Sequence, residues 1–270
     1  MKSRIKWLMV ALSHKITMQI GARYGPGFPM HFVCGYPRSG TTWFSELLAD
    51  YLNLPRPRHY ILPLGFSCVV HTHVPSSHRL SDCFYVLRDG RDCLVSAYFK
   101  LIKNMEDDKD YVYGDVYAEL FGGNYDDPGK NIELYVDYIF THRKHHWGRH
   151  VKGWLDKKRQ HPETIVIARY EELVRETREA FIQVLLEKYG SVKEEFVNSA
   201  VERQQFERQI KRSEDQHRTF LRKGKTGDWR NWFTPESARI FDKYAGDVLI
   251  EAGYEQDHSW IDLENNDHRD

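Results

Sequence analysis

The sequence predicts an α/β protein with a central, mostly parallel sheet flanked by helices. Two short apolar runs each lead through a glycine-bearing turn into apolar residues at helical spacing, and a third runs directly into another helical stretch. Strands alternating with helices in this way need crossover connections, which cover both faces of a parallel sheet. His31-Phe32-Val33-Cys34 makes the first strand and Gly35 to Gly40 a turn; Thr41 then opens a helix burying Trp43, Phe44, Leu47, Leu48 and Tyr51. Cys83 to Leu87 makes the second strand and Arg88-Asp89-Gly90 its turn. Leu94, Val95, Tyr98, Leu101 and Ile102 line one face of the helix that follows. Thr164 to Ala168 is the third strand, leading to a helix from Glu171 to Lys188 that Gly190 stops. Ser191 and Glu194 have capping-box spacing for the next helix, and Thr234-Pro235 starts the last long one, which ends near Gly253.

With 270 residues, 41% hydrophobic and 29% charged, the chain is long enough for a buried core and too apolar for disorder. No internal repeat or low-complexity linker interrupts it, so a single domain over 1–270 is expected. Lys and Arg total 39 against 39 Asp and Glu, a balance that argues against bulk attraction to nucleic acid or an anionic membrane. Cys34, Cys68, Cys83 and Cys93 form no CxxC pair and mostly sit in apolar runs, as buried reduced thiols do. The apolar stretch from Trp7 to Leu12 is too short to span a membrane, so 1–28 reads as an arm or helix packed on the body of a cytoplasmic protein. The acidic, tyrosine-rich stretch from Lys103 to Asp127 breaks the strand–helix rhythm. It fits either a solvated loop or, over 103–130, a lid beside a substrate pocket.

Gly35-Tyr36-Pro37-Arg38-Ser39-Gly40-Thr41-Thr42 joins a strand to a helix, and the amides of such a turn cradle phosphate or sulfate oxygens. The spacing is that of a P-loop, but Thr41 stands where GxxxxGK[ST] has its lysine, and Arg38 is the only cation in the loop. A nucleotide kinase is disfavoured on that ground; a tight turn holding nothing is the other reading.

Tyr36 to Trp43, YPRSGTTW, resembles the YPKSGTTW segment of the cytosolic-type sulfotransferases, with Arg38 in place of the lysine. The planar guanidinium fork keeps the charge and changes its geometry. Further segments resemble the family in order. Phe84 to Phe99 resembles the 3′-phosphate segment, with Arg88 and Ser96 eight residues apart. Arg222 to Trp229, RKGKTGDW, resembles the family's RKGxxGDW box. His146 to Trp154 resembles its WxxHVxxW helix.

The resemblance implies 3′-phosphoadenosine 5′-phosphosulfate (PAPS) as donor and adenosine 3′,5′-bisphosphate (PAP) as product, with no metal. It puts Arg38, Ser39, Gly40, Thr41 and Thr42 on the 5′-phosphosulfate. Trp43, Tyr170 (from a YEDL-like segment) and Phe206 fall on the adenine. Arg88, Ser96, Leu221, Arg222, Lys223 and Gly224 fall on the 3′-phosphate side. Core packing is the other reading of each aromatic. The family's dimer segment would fall on Arg230, Thr234, Pro235 and Arg239, where proline and a reversed charge speak against that dimer and for a monomer or another dimer.

Sulfuryl transfer needs a base for the acceptor proton, and histidine titrates in the right range. His71-Thr72-His73-Val74-Pro75 resembles the family's KTHLP segment, which makes His73 the base and puts His71 on the usual lysine. Glu46, on the helix after the loop, is the rival base. A metal held by His71 and His73 would need further ligands, and none is evident nearby. The implied activity is transfer to a hydroxyl or amine of a small-molecule acceptor. The alternative from another class is a module that binds PAPS or PAP without catalysis.

Overall fold

The computed structural model describes residues 9–10, 12–13, 15–20, 23, 30–57, 67–76, 80, 82–106, 114–125, 127–205 and 226–262. The chain divides into two compact units, one of Met1–Leu87 and Gly153–Gln209, the other of Arg88–Lys152 and Ile210–Asp270.

The first unit is built on a four-stranded, all-parallel sheet of β1 (Met30–Gly35), β2 (Cys68–Thr72), β3 (Cys83–Leu87) and β4 (Ile165–Arg169), in the order β2-β1-β3-β4. The strands are almost wholly buried, as continuous apolar runs in a parallel sheet must be. β2 adds a strand to the three expected; it pairs with β1 so that Val33 faces His71 and Cys34 faces Thr72. Among the described residues, the helices α1 (Thr41–Leu52), α6 (Tyr170–Arg175), α7 (Thr177–Tyr189) and α8 (Glu194–Gln204) accompany the sheet. Val33, Val69, Phe84, Val86, Val166 and Ala168 form a common core with Phe44, Leu47, Leu48, Phe181, Leu185 and Val197. On β3, Tyr85 points the opposite way and stacks on Trp154.

The strand order decides where a ligand belongs. β1 has β2 on one side and β3 on the other, so the connections diverge at its C-terminal end, the crevice position of open α/β sheets. Into that edge run the turn 36–40 after β1, His73 after β2 and Tyr170 after β4. Residues 15–20 are helical, with Thr17 and Met18 buried.

The second unit is helical: α2 (Gly90–Glu106), α3 (Gly114–Leu120), α4 (Pro128–His142) and α9 (Pro235–Glu251), with short 3-10 turns at Asp228–Asn231 and His258–Ile261. The helix α5 (Trp147–Gln160) begins in this unit.

Three local expectations need correction. The helix expected over Glu171–Lys188 is two helices. Glu176 is non-helical (φ −140°), and the Thr177 hydroxyl takes the carbonyl of Leu173 at 2.7 Å, a side-chain bond that competes with the helical ladder. The Ser191–Glu194 capping box does not form: Lys193 is the N-cap, and the Glu194 carboxylate pairs with Arg178 at 2.5 Å instead. Nor is the described part of the 103–127 stretch an irregular loop. α2 continues to Glu106, α3 follows, and Tyr117 and Phe121, one turn apart, are buried against Tyr98 and Tyr135. Tyr117 and Phe121 are core. By contrast Gly190 ends α7 as expected, at φ 73° with its N–H on Leu186, and Thr234 caps α9.

Candidate active site

The turn after β1 is held by a Ser39 N–H to Tyr36 carbonyl bond of 3.1 Å, and it needs two left-handed residues, Arg38 (φ 74°) and Gly40 (φ 84°). At Gly40 glycine is required twice over, for a Cβ there would also lie 2.5 Å from the Tyr170 ring. At Arg38 a half-buried arginine occupies a conformation that costs roughly a kilocalorie or more per mole, strain that persists where a site uses it. Gly40 caps α1 without a side-chain acceptor, and the first turn of α1 holds no acid, so nothing local offsets the positive end of the helix dipole. The Thr41 hydroxyl is fully buried and has no hydrogen-bond partner. Such an atom costs stability unless a ligand oxygen meets it. The loop therefore fits an oxygen anion on its own chemistry.

His73 lies just past β2, and its Nδ1 is 2.7 Å from the carbonyl of Gly35, the first residue of the loop. A carbonyl only accepts, so Nδ1 carries the proton and Nε2 is the basic nitrogen. The His71 ring meets that of His73 edge-on at 5.0 Å. Among the described residues no three of His, Cys, Asp and Glu come together as a metal site. Glu46 sits on α1 with its carboxylate paired to Arg56, a partner that nothing in the sequence pointed to.

Trp43 and Tyr170 meet edge-on at 6.1 Å beside Gly40, and the Trp43 indole N–H donates to the Gln204 carbonyl at 3.3 Å. Both rings are mostly buried and belong to the first unit's core, so packing accounts for part of each. Phe206, Leu221, Arg222, Lys223 and Gly224 lie outside the described residues.

In the second unit Arg88 is buried directly before α2, and Ser96 is half-buried on that helix. The surrounding turn is crowded: Gly90 lies against the Trp147 indole, whose N–H donates to the Arg88 carbonyl at 3.0 Å. Asp92 was missed by the sequence reading. It accepts from the Gly227 N–H at 2.8 Å and the Trp229 N–H at 2.9 Å, and Arg88 approaches it at 3.9 Å. Burial pushes its carboxyl pKa up, as does the charge of Asp89, while Arg88 and the two amides pull it back. The only sequence signal was its place one turn after Arg88.

Residues 68–253 match the sulfotransferase domain family. The chain belongs to that family. It is a PAPS-dependent sulfotransferase, and the match takes in His73, Arg88, Ser96 and the Arg222–Trp229 box, while the loop at 35–42 precedes it. Among curated relatives, this sulfotransferase is 24% identical to 3-alpha-hydroxysteroid sulfotransferase of Cavia porcellus, over 93% of each chain. It is 28% identical to sulfotransferase 1A1 of Mus musculus, over 79% of this chain and 82% of that one. Among solved structures it is similar in fold to retinol dehydratase in complex with androsterone and inactive cofactor PAP (TM-score 0.60, 19% identity, 86% and 85% of the chains). It is likewise similar to mouse sulfotransferase SULT7A1 complexed with PAP (TM-score 0.60, 16% identity, 86% and 87%).

Proposed function

We propose that this sulfotransferase moves the sulfuryl group of PAPS to a hydroxyl or amine of a small-molecule acceptor, with His73 as general base. The hydrogen bond from His73 Nδ1 to the Gly35 carbonyl carries the reading. It fixes the tautomer that leaves Nε2 basic and ties the base to the start of the phosphate loop. His73 Nε2 takes the acceptor proton as the acceptor oxygen or nitrogen attacks sulfur, and the bond from sulfur to the bridging oxygen breaks. Arg38, the loop amides, Thr41 and Thr42 take up the charge that develops on the departing phosphate. Ser39 and Gly40 shape that cradle, and Trp43, Tyr170 and Phe206 hold the adenine. Arg88 and Ser96, with Leu221, Arg222, Lys223 and Gly224, hold the 3′-phosphate, an arginine fork and a hydroxyl acting together. Glu46, the rival base, is paired with Arg56 and in this reading supports the loop helix.

The similar proteins include a 3-alpha-hydroxysteroid sulfotransferase and a retinol dehydratase seen with androsterone or with retinol, which supports a hydroxylated small molecule as acceptor. The four cysteines are buried free thiols, in keeping with a reducing, cytoplasmic setting. Replacing the base tests the proposal: His73→Ala lowers kcat by about 10²–10⁴-fold and leaves PAP affinity unchanged. Wild-type turnover in that variant removes His73 from the role.

A further inference from the structure

Asp92 opens α2 as an acid in the first turn, where an ordinary dipole-compensating carboxylate would face water. It is instead 2% exposed, and both its oxygens are spent on a segment far along the chain. Oδ2 accepts from Gly227 and Oδ1 from Trp229, so one carboxylate holds two amides at the end of the RKGKTGDW box. Gly227 is left-handed (φ 76°), the bend that brings its N–H and that of Trp229 to the same acceptor. The adjacent Arg91 adds a second hold. Its guanidinium lies 3.9 Å from the centre of the Trp229 ring and 4.6 Å from that of Trp260, while Asp89 (2.7 Å) and Glu255 (2.5 Å) neutralise it. The same helical turn thus follows Arg88, precedes Ser96 and holds Gly227 and Trp229.

We infer that Asp92 is a positioning residue: it holds Gly227 and Trp229 to the helix carrying Ser96, beside Arg88, and so sets the preference for nucleotides with a 3′-phosphate. The inference rests on the proposed 3′-phosphate role of Arg88, Ser96 and the box. Its test is calorimetric titration of the full chain and of Asp92→Asn and Asp92→Glu with PAP and with adenosine 5′-monophosphate, which lacks the 3′-phosphate. Thermal unfolding is followed in parallel.

Asparagine cannot accept with both terminal atoms. Asp92→Asn therefore loses about tenfold to hundredfold in PAP affinity, the worth of a hydrogen bond to a charged group, with monophosphate affinity unchanged. Asp92→Glu, which keeps the charge, recovers part of the loss. An unaltered PAP preference in Asp92→Asn, an equal loss for both nucleotides, or failure of both variants to unfold cooperatively overturns the inference and leaves Asp92 a folding residue. A wild-type chain that does not prefer PAP overturns the 3′-phosphate reading itself, a result distinct from any obtained with the variants.

Discussion

The Thr41 hydroxyl is the most informative single atom in the first unit, because it is buried with no partner at a helix start that has no side-chain cap. A buried hydroxyl left unsatisfied costs about 1–3 kcal/mol. Thr41→Val keeps the shape and removes the polar atom. The ligand-free protein is then expected to melt at the same temperature or higher, while PAP affinity falls about tenfold. Unchanged affinity in a calorimetric titration would take Thr41 out of donor binding. The other site residues differ in how readily they could be read. Arg38, Gly40 and His73 belong to short contiguous motifs, and the structure sets Gly40 against Tyr170 and ties His73 to Gly35. Asp92 and Arg56 were not legible, since an acid or arginine acquires meaning only from its partner. Asp92's lies 135 residues away, and Glu46 meets Arg56 only once the chain has turned back.

At the scale of elements, the loop–helix junctions follow local chemistry where a cap is strong and depart from it where a tertiary partner competes. Thr234 accepts from the Ser237 N–H at 3.1 Å, the Ser237 hydroxyl accepts from the Thr234 N–H at 2.7 Å, and Pro235 suits the first turn. Thr234 also donates to Glu133 of α4 at 2.5 Å, so the cap ties α9 to its neighbour. Thr234→Ala is expected to cost about 1–2 kcal/mol, lowering the urea midpoint without changing the slope of unfolding. A midpoint within error of wild type would show the cap to be idle. The failed capping box at Ser191 has the same logic reversed: Glu194 was free to cap by sequence, but Arg178 claims its carboxylate. The break at Glu176 was equally hidden, because both flanking stretches have helical composition.

For the molecule as a whole, pH dependence provides a test of how the second unit is packed. His146 is buried with its Nδ1 lacking a partner, 4.9 Å from the Phe140 ring, and its pKa falls to about 4. Burial is the main cause, with the charges of Arg149 and His145 adding to it. Between about pH 6.5 and 4 the unfolded chain therefore holds more protons at this site, so its contribution to stability is lost as pH falls through that window. Urea titrations at pH 7, 5.5 and 4.5 should show His146→Phe losing less stability than wild type over this range. Parallel slopes would refute the assignment.

The sequence by itself determined the α/β class, the strand–loop–helix unit that makes the phosphate turn, and the motifs that place the chain among sulfotransferases. These are local features: apolar period, glycine at a left-handed turn, and charge within a few residues. Only the tertiary structure decided the order β2-β1-β3-β4, which puts the turn and His73 at one sheet edge. It also decided the pairing of Glu46 with Arg56 and the hold of Asp92 on Gly227 and Trp229. The physical reason is that hydrogen bonds and ion pairs between distant segments depend on which surfaces the core brings together, and periodicity carries no record of that.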